Sequence, residues 1–181
     1  QLNSDGSMDV IERWNIYIEN TNTLFKTFEA DEGYSEIVNA EVYEINSDGS
    51  KSLFEKIDKE MYHVTKGSYY ALVNSDNKFE IAWGASVENE TKTYELHYKV
   101  LDCIKNYNDC SEIYWQLISN DSGIPADKIT GTIKLPSKVN DIENLRAWGH
   151  GPINGDVSID SEDTVSFEIE YLDPYNLLEL F

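Results

Sequence analysis

"SEIYWQLISNDSGIPADKITGTIKLP", residues 111–136, alternates and then breaks. Ile113, Trp115 and Leu117 share one parity against polar neighbours, the period of a half-buried strand. Asn120-Asp121-Ser122-Gly123 interrupts the run with turn residues. A second run, led in by Pro125, closes on Leu135-Pro136. Pro suits the first position of a strand, because the ladder needs no N–H there. The stretch therefore reads as two strands and a connection, with Ile113, Trp115 and Leu117 as a core row.

The same alternation runs through most of the chain. Val10, Trp14, Ile16 and Ile18 share a parity, with Trp14 a core residue. Segments 36–45, 68–73, 78–87, 93–101, 112–119, 128–135 and 164–171 are rich in β-branched and aromatic residues, which fit a pleated surface. Turn signals separate them: "NSDGS" at 3–7 and again at 46–50, "NSDNK" at 74–78 and "DSEDT" at 160–164. Asp-Gly favours a hairpin connection. The repeat supplies only a fragment of the alternating oxygen ligands of a calcium loop, so it reads as a turn first, with a metal site as the lesser alternative. Helical spacing is confined to 53–63, "LFEKIDKEMYH", and to a turn within 138–146. The expectation is all-β: an antiparallel β-sandwich, immunoglobulin-like or related, with at most one or two short helices and one domain over 1–181.

One hairpin can be set by register. If 93–101 pairs with 112–119 so that Tyr98 faces Trp115, then Leu96 faces Leu117 and Val100 faces Ile113. All the apolar pairs then share one face, and a slip of one residue mixes the faces. His97 opposite Gln116 and Lys99 opposite Tyr114 fall on the solvent side. Continued outward, the register opposes Cys103 and Cys110. That makes a disulfide possible, one that closes a short loop and contributes about 2–3 kcal/mol. Two free thiols is the alternative. A disulfide would imply an oxidising compartment.

Charge narrows the partners. The 181 residues carry 14 Lys and Arg against 34 Asp and Glu, a net charge of −20. Such a field repels phosphate backbones and anionic lipid surfaces, so neither nucleic acid nor a bare membrane is an expected partner. No apolar run is long enough to span a bilayer and no signal-peptide pattern opens the chain. Gln1 as first residue leads to the expectation of a processed or excised piece.

No catalytic pattern stands out. His63, His97 and His150 are far apart, with no ligand spacing. Nucleophile-elbow, phosphate-loop and zinc-protease motifs are lacking. No catalytic, cofactor or metal residue is assigned and no cofactor is implied. His97 reads as a solvated outer-face residue, and "WGHGP" (148–152) as a Gly-Pro turn first. Trp14, Trp83, Trp115 and Trp148 allow a carbohydrate-binding module, which predicts two or more rings exposed in a row. A hydrolase would need Glu112, His97 or His150 to converge. Asn89-Glu90-Thr91 and Asn120-Asp121-Ser122 match the glycosylation sequon but also read as turns.

Five stretches in order carry a resemblance: "DVIERWNIYI" (9–18), "TKTYELHYKV" (91–100), "SEIYWQL" (111–117), "IPADKITGTIKLP" (124–136) and "VSFEIEYLDPYNLLELF" (165–181). Together they resemble the extracellular domain of the bacterial predicted membrane proteins catalogued as domain of unknown function 2207. Two departures stand against the family pattern. Ser122 occupies a place often given to Trp, and "TLFKTFEA" (23–30) lacks an Arg and Pro element. The resemblance implies a secretion signal and transmembrane helices outside this chain. It also implies an extracytoplasmic position on a bacterial membrane. It supplies no ligand and no catalytic residues. The expected function is a non-catalytic binding or interaction role at the cell envelope, with an envelope protein or a glycan as partner.

Overall fold

The computed structural model describes residues 1–29, 33–58, 64–73, 78–119 and 122–181. The described chain is almost all β, as the alternation demands. The strands are β1 (Met8–Phe28), β2 (Glu36–Ile45), β3 (Lys51–Leu53), β4 (Glu55–Lys56), β5 (Ser68–Val73), β6 (Phe79–Leu101), β7 (Ile104–Asn106), β8 (Ser111–Ile113), β9 (Trp115–Ile118), β10 (Ile129–Lys134), β11 (Gly149–His150), β12 (Gly155–Ser161), β13 (Thr164–Ile169) and β14 (Leu178–Leu180). A 3-10 turn at Ile142–Asn144, capped by the Asp141 side chain, fulfils the expected turn within 138–146. The helix expected over 53–63 is corrected in its described part, where Leu53 ends β3 and Glu55–Lys56 form β4; residues 59–63, with His63, lie outside the described residues. The turns at 74–77 and 120–121 also lie outside them. The chain divides into two compact units: an amino-terminal one built from β1 to β6, and a carboxy-terminal one that takes residues 102–181, the first eight and the short segment ending at Tyr34.

In the amino-terminal unit the sheet order is β3-β2-β6-β5-β4, with β1 also paired to β6. β6 has 23 residues, long enough to pair with β5 near its start and β2 near its end. Lys51–Lys56 then links β2 to β5, because Phe54 N–H donates to Val42 O and Glu55 N–H to Gly67 O. The sheet thus curls into a nearly closed ring. Val42, Phe54, Tyr69, Trp83, Tyr94 and Leu96 are buried. Trp14 is half-buried, its ring edge-on to Trp83 at 5.5 Å. Tyr98 is buried and edge-on to Phe28 at 5.0 Å.

The hairpin expected between 93–101 and 112–119 does not form. β6 pairs with β2 instead, setting Val100 opposite Ile37 and Leu96 opposite Val42. Two segments offered β6 the same apolar parity. β2 takes the place with a bulge between Val38 and Glu41, where Asn39 adopts φ 54°. A bulge resets the parity along a strand, which strict period-2 reading cannot anticipate.

The opposed cysteines fall with that hairpin. β7 and β8 pair with Ile104 opposite Ile113, and Tyr107 N–H donates to Cys110 O, so Cys110 faces Tyr107 and not Cys103. Both cysteines are free; Cys103 is buried and Cys110 exposed. Burial pushes the Cys103 thiol up to about 11, and its Sγ donates to Gly6 O at 3.4 Å. Since the thiolate is the reacting species, native protein should take up one equivalent of alkylating reagent, at Cys110, and unfolded protein two. Intact-mass measurement checks this; two blocked thiols released only by reductant would contradict it.

Both "NSDGS" segments make the same turn. Asn3 N–H donates to Ser7 O and Asn46 N–H to Ser50 O, each at 2.8 Å. Asp5 and Asp48 each accept from the following serine's hydroxyl at 2.6 Å, and Gly6 and Gly49 take positive φ. This is a three-residue loop with glycine at the left-handed position. The aspartates are thereby occupied as turn acceptors. Among the described residues no group of three or more His, Cys, Asp or Glu could hold a metal.

In the carboxy-terminal unit two three-stranded sheets, β10-β13-β12 and β11-β14-β9, face each other. Val157, Phe167 and Ile169 of the first and Leu178 and Leu180 of the second line a narrow cleft of about 50 Å³. Trp115 joins this core, buried, its ring 5.7 Å from that of Tyr34. The opening stretch is thus divided: 111–113 pairs with β7, 115–118 with β14 and 129–134 with β13. Ile113 and Leu117 are half-buried on the same parity as Trp115.

Candidate binding face

The outer side of the β11-β14-β9 sheet carries a linked cluster of polar and aromatic side chains. In the ladder, Gly149 pairs with Leu180 and His150 with Glu179; Trp148 and Phe181 continue it through reciprocal N–H···O bonds of 3.1 and 3.0 Å. On the other side Glu179 pairs with Gln116 and Leu180 with Trp115, so Tyr114 follows opposite Phe181. Directly opposed residues share a face, and alternate residues along a strand share it too. Leu178, Leu180 and Trp115 point into the core. Trp148, His150, Phe181, Glu179, Tyr114 and Gln116 therefore stand together on the other face.

They form two rows across three strands. The first is aromatic: Trp148, Phe181, Tyr114, with the Tyr114 and Phe181 rings 5.0 Å apart. The second is polar: His150, Glu179, Gln116. Glu179 is the hub. Its Oε1 accepts from the Tyr114 hydroxyl at 2.6 Å and the Gln116 amide at 3.3 Å, and its Oε2 lies 3.5 Å from His150 Nδ1. The His150 ring is also edge-on to Phe181 at 5.4 Å. The side chain of Glu179 is only 12% exposed, whereas that of His150 is 74% exposed and Trp148 is 60% exposed. A nearly covered carboxylate thus fixes the Tyr and Gln side chains, while the indole and imidazole stay open to solvent. Such a surface can stack a flat apolar face and donate or accept hydrogen bonds beside it.

"WGHGP" was expected to be a turn before a site. It contributes β11 and two of the six side chains. At Gly149 an added Cβ would approach the Val157 side chain of the facing sheet at 3.0 Å, a tight contact. Beyond His150 an open depression of about 510 Å³ is bordered by Gly151, Pro152, Ile153, Asn176 and Leu177. Of the other tryptophans, Trp83 and Trp115 are buried and Trp14 is half-buried. The ring row is thus Trp148 with Phe181 and Tyr114.

The residues considered for a hydrolase are engaged separately. Glu112 faces Lys105 across β7 and β8. His97 is not a freely solvated side chain: its Nε2 lies 2.6 Å from Glu95 Oε1 in the amino-terminal unit. Glu95 was missed by sequence reading. It is 2% exposed and also meets Lys51 at 2.5 Å and Arg13 at 2.7 Å. The sequon residue Asn89 is exposed within β6, where it accepts from the Tyr17 hydroxyl at 3.3 Å.

A family model described as the predicted membrane protein (DUF2207) N-terminal domain matches residues 1–181, the whole chain. The chain belongs to the DUF2207 family. The five stretches quoted from its sequence therefore lie in a DUF2207 N-terminal domain throughout. No helix among the described residues is long and apolar enough to cross a membrane. Nothing among curated proteins or solved structures matches this DUF2207 domain.

Proposed function

We propose that this DUF2207 domain is a non-catalytic binding domain displayed on the extracytoplasmic side of a bacterial cell membrane, where it engages a component of the cell envelope. One observation carries this reading: the ordered outer face of β11, β14 and β9. An indole that is 60% exposed beside a braced carboxylate hub is surface chemistry suited to a ligand. The family's membrane character supports a place at the envelope. A net charge of −20 keeps such a domain off anionic lipid and nucleic acid. The facing sheets of the carboxy-terminal unit support reading it as a β-sandwich related to immunoglobulin-like ones.

The test is co-sedimentation of the purified chain with envelope preparations, comparing wild type with Trp148→Ala/His150→Ala. Both side chains are exposed, so melting temperature should be unchanged within about 2 °C, as expected for surface changes away from caps and cores. Binding should weaken at least about tenfold, as a central aromatic anchor worth more than about 1.4 kcal/mol implies. Equal sedimentation of the two proteins would overturn the assignment of the face.

A further inference from the structure

We infer that the ligand of this face is an uncharged glycan, with a pyranose ring stacked on the Trp148–Phe181–Tyr114 row and its hydroxyls bonded to the His150–Glu179–Gln116 row. This rests on the binding reading just given and names the ligand class for the same face.

Three features select a sugar. The first is geometry. Three rings at the ends of three adjacent strands span two strand spacings, about 10 Å. That is the length of roughly two linked pyranose units; Trp148 and Phe181 are tied by reciprocal backbone bonds, and the Tyr114 ring lies 5.0 Å from that of Phe181, tilted by 56°. The second is amphipathy. A pyranose offers a C–H face to an aromatic surface and hydroxyls at its rim, and here the apolar and polar rows run side by side. The polar row supplies a ring nitrogen, a carboxylate and an amide, so hydroxyls can both donate and accept. Glu179, already bonded to Tyr114 and Gln116, needs little ordering on binding. The third is charge. No Lys or Arg stands among the six residues, and the chain carries −20, so phosphorylated or uronic-acid polymers are repelled. A protein partner fits less well, because a stable interface needs about 800 Å² on each side, more than six side chains of a three-stranded sheet present.

The experiment titrates the whole chain, followed by calorimetry and tryptophan fluorescence, with four probes: chitotetraose, cellotetraose, mannotetraose and, as the anionic control, tetragalacturonic acid. At least one neutral tetramer should bind with Kd below about 1 mM, a usual range for weak specific recognition. Trp148→Ala should weaken it at least tenfold, and tetragalacturonic acid should not bind. Envelope co-sedimentation that depends on Trp148 but no binding of any neutral tetramer overturns the glycan class and leaves the binding face standing. Sugar binding unchanged in Trp148→Ala places the sugar elsewhere and overturns the inference. Tighter binding of tetragalacturonic acid than of the neutral tetramers overturns it as well. Loss of both envelope and sugar binding dependence on Trp148 removes the binding face itself.

Discussion

Gly84→Ala is expected to destabilise the amino-terminal unit by about 3 kcal/mol or more, the upper range for overpacking a tight interior. Gly84 lies in β6 between the buried Trp83 and Ala85. A Cβ there would sit 1.9 Å from the carbonyl oxygen of Thr65 and 2.9 Å from Lys66 N. The obstacle is backbone, and it is held. Thr65 N–H donates to the Ser68 hydroxyl at 2.8 Å, that hydroxyl donates back to Thr65 O at 2.8 Å, and Ser68 N–H donates to the same oxygen at 2.9 Å. Lys66 is bridged to Gly84 itself. The segment cannot move aside without losing these bonds. Gly67→Ala is the control. Its φ is +82° with nothing within 4 Å, so it should cost only about 1 kcal/mol of backbone strain. Urea unfolding followed by tryptophan fluorescence checks both. Equal losses for the two variants would show that close approach at Gly84 is not what the fold requires.

The legible part of this fold was the parity of each strand. Trp115 does face inward, and so do Leu96, Tyr98 and Val100, while Ile113 and Leu117 are half-buried and the ladder to β14 is irregular at Leu117. The partners were not legible. Parity says which side of a strand is apolar, and any strand with a matching face satisfies it. The bulge at Asn39 let β2 supply that face to β6, and β14 supplied it to Trp115 through Leu180. The outer face was half visible. Tyr114 and Gln116 were read as solvent-side residues, which holds, but opposite Lys99 and His97. Their true neighbours, Phe181 and Glu179, lie more than 60 residues away, and no local period links them. A polar residue at an inward position was the neglected signal. Glu12 and Lys26 stand on the inward parity of β1, and they meet at 2.9 Å, with Glu12 also accepting from the Trp14 indole at 2.9 Å and from the Tyr98 hydroxyl. Two such breaks of opposite charge in one strand are best explained by each other.

Glu95→Gln should remove an acid-sensitive share of stability. Burial alone would raise the Glu95 carboxyl, but hydrogen bonds from Lys51, His97 and Arg13 outweigh it and hold the group at about 2, against an ordinary 4.5. A carboxyl with a depressed folded-state value stabilises the fold above the unfolded value and loses that contribution as pH falls through the folded one. The window is therefore from about pH 4.5 down to about pH 2. The full difference corresponds to about 3 kcal/mol at 1.36 kcal/mol for each pH unit. Arg13 and Lys51 are 61% and 45% exposed, so solvent screening reduces this to about 2 kcal/mol. Other carboxylates among the 34 acidic residues also titrate on acidification, and their protonation relieves the self-repulsion of the −20 charge. The informative quantity is thus the difference between wild type and Glu95→Gln, in which those terms cancel. At pH 7 the variant should be about 2 kcal/mol less stable, because Arg13, Lys51 and His97 lose their shared anion. By pH 2 the two curves should converge to within about 1 kcal/mol, as the linkage relation requires. Denaturant midpoints across pH 2–7 measure it. A gap independent of pH would mean that Glu95 acts by shape and not by charge, and would reassign the stabilisation to the packing of Tyr43 against His97 on the same face.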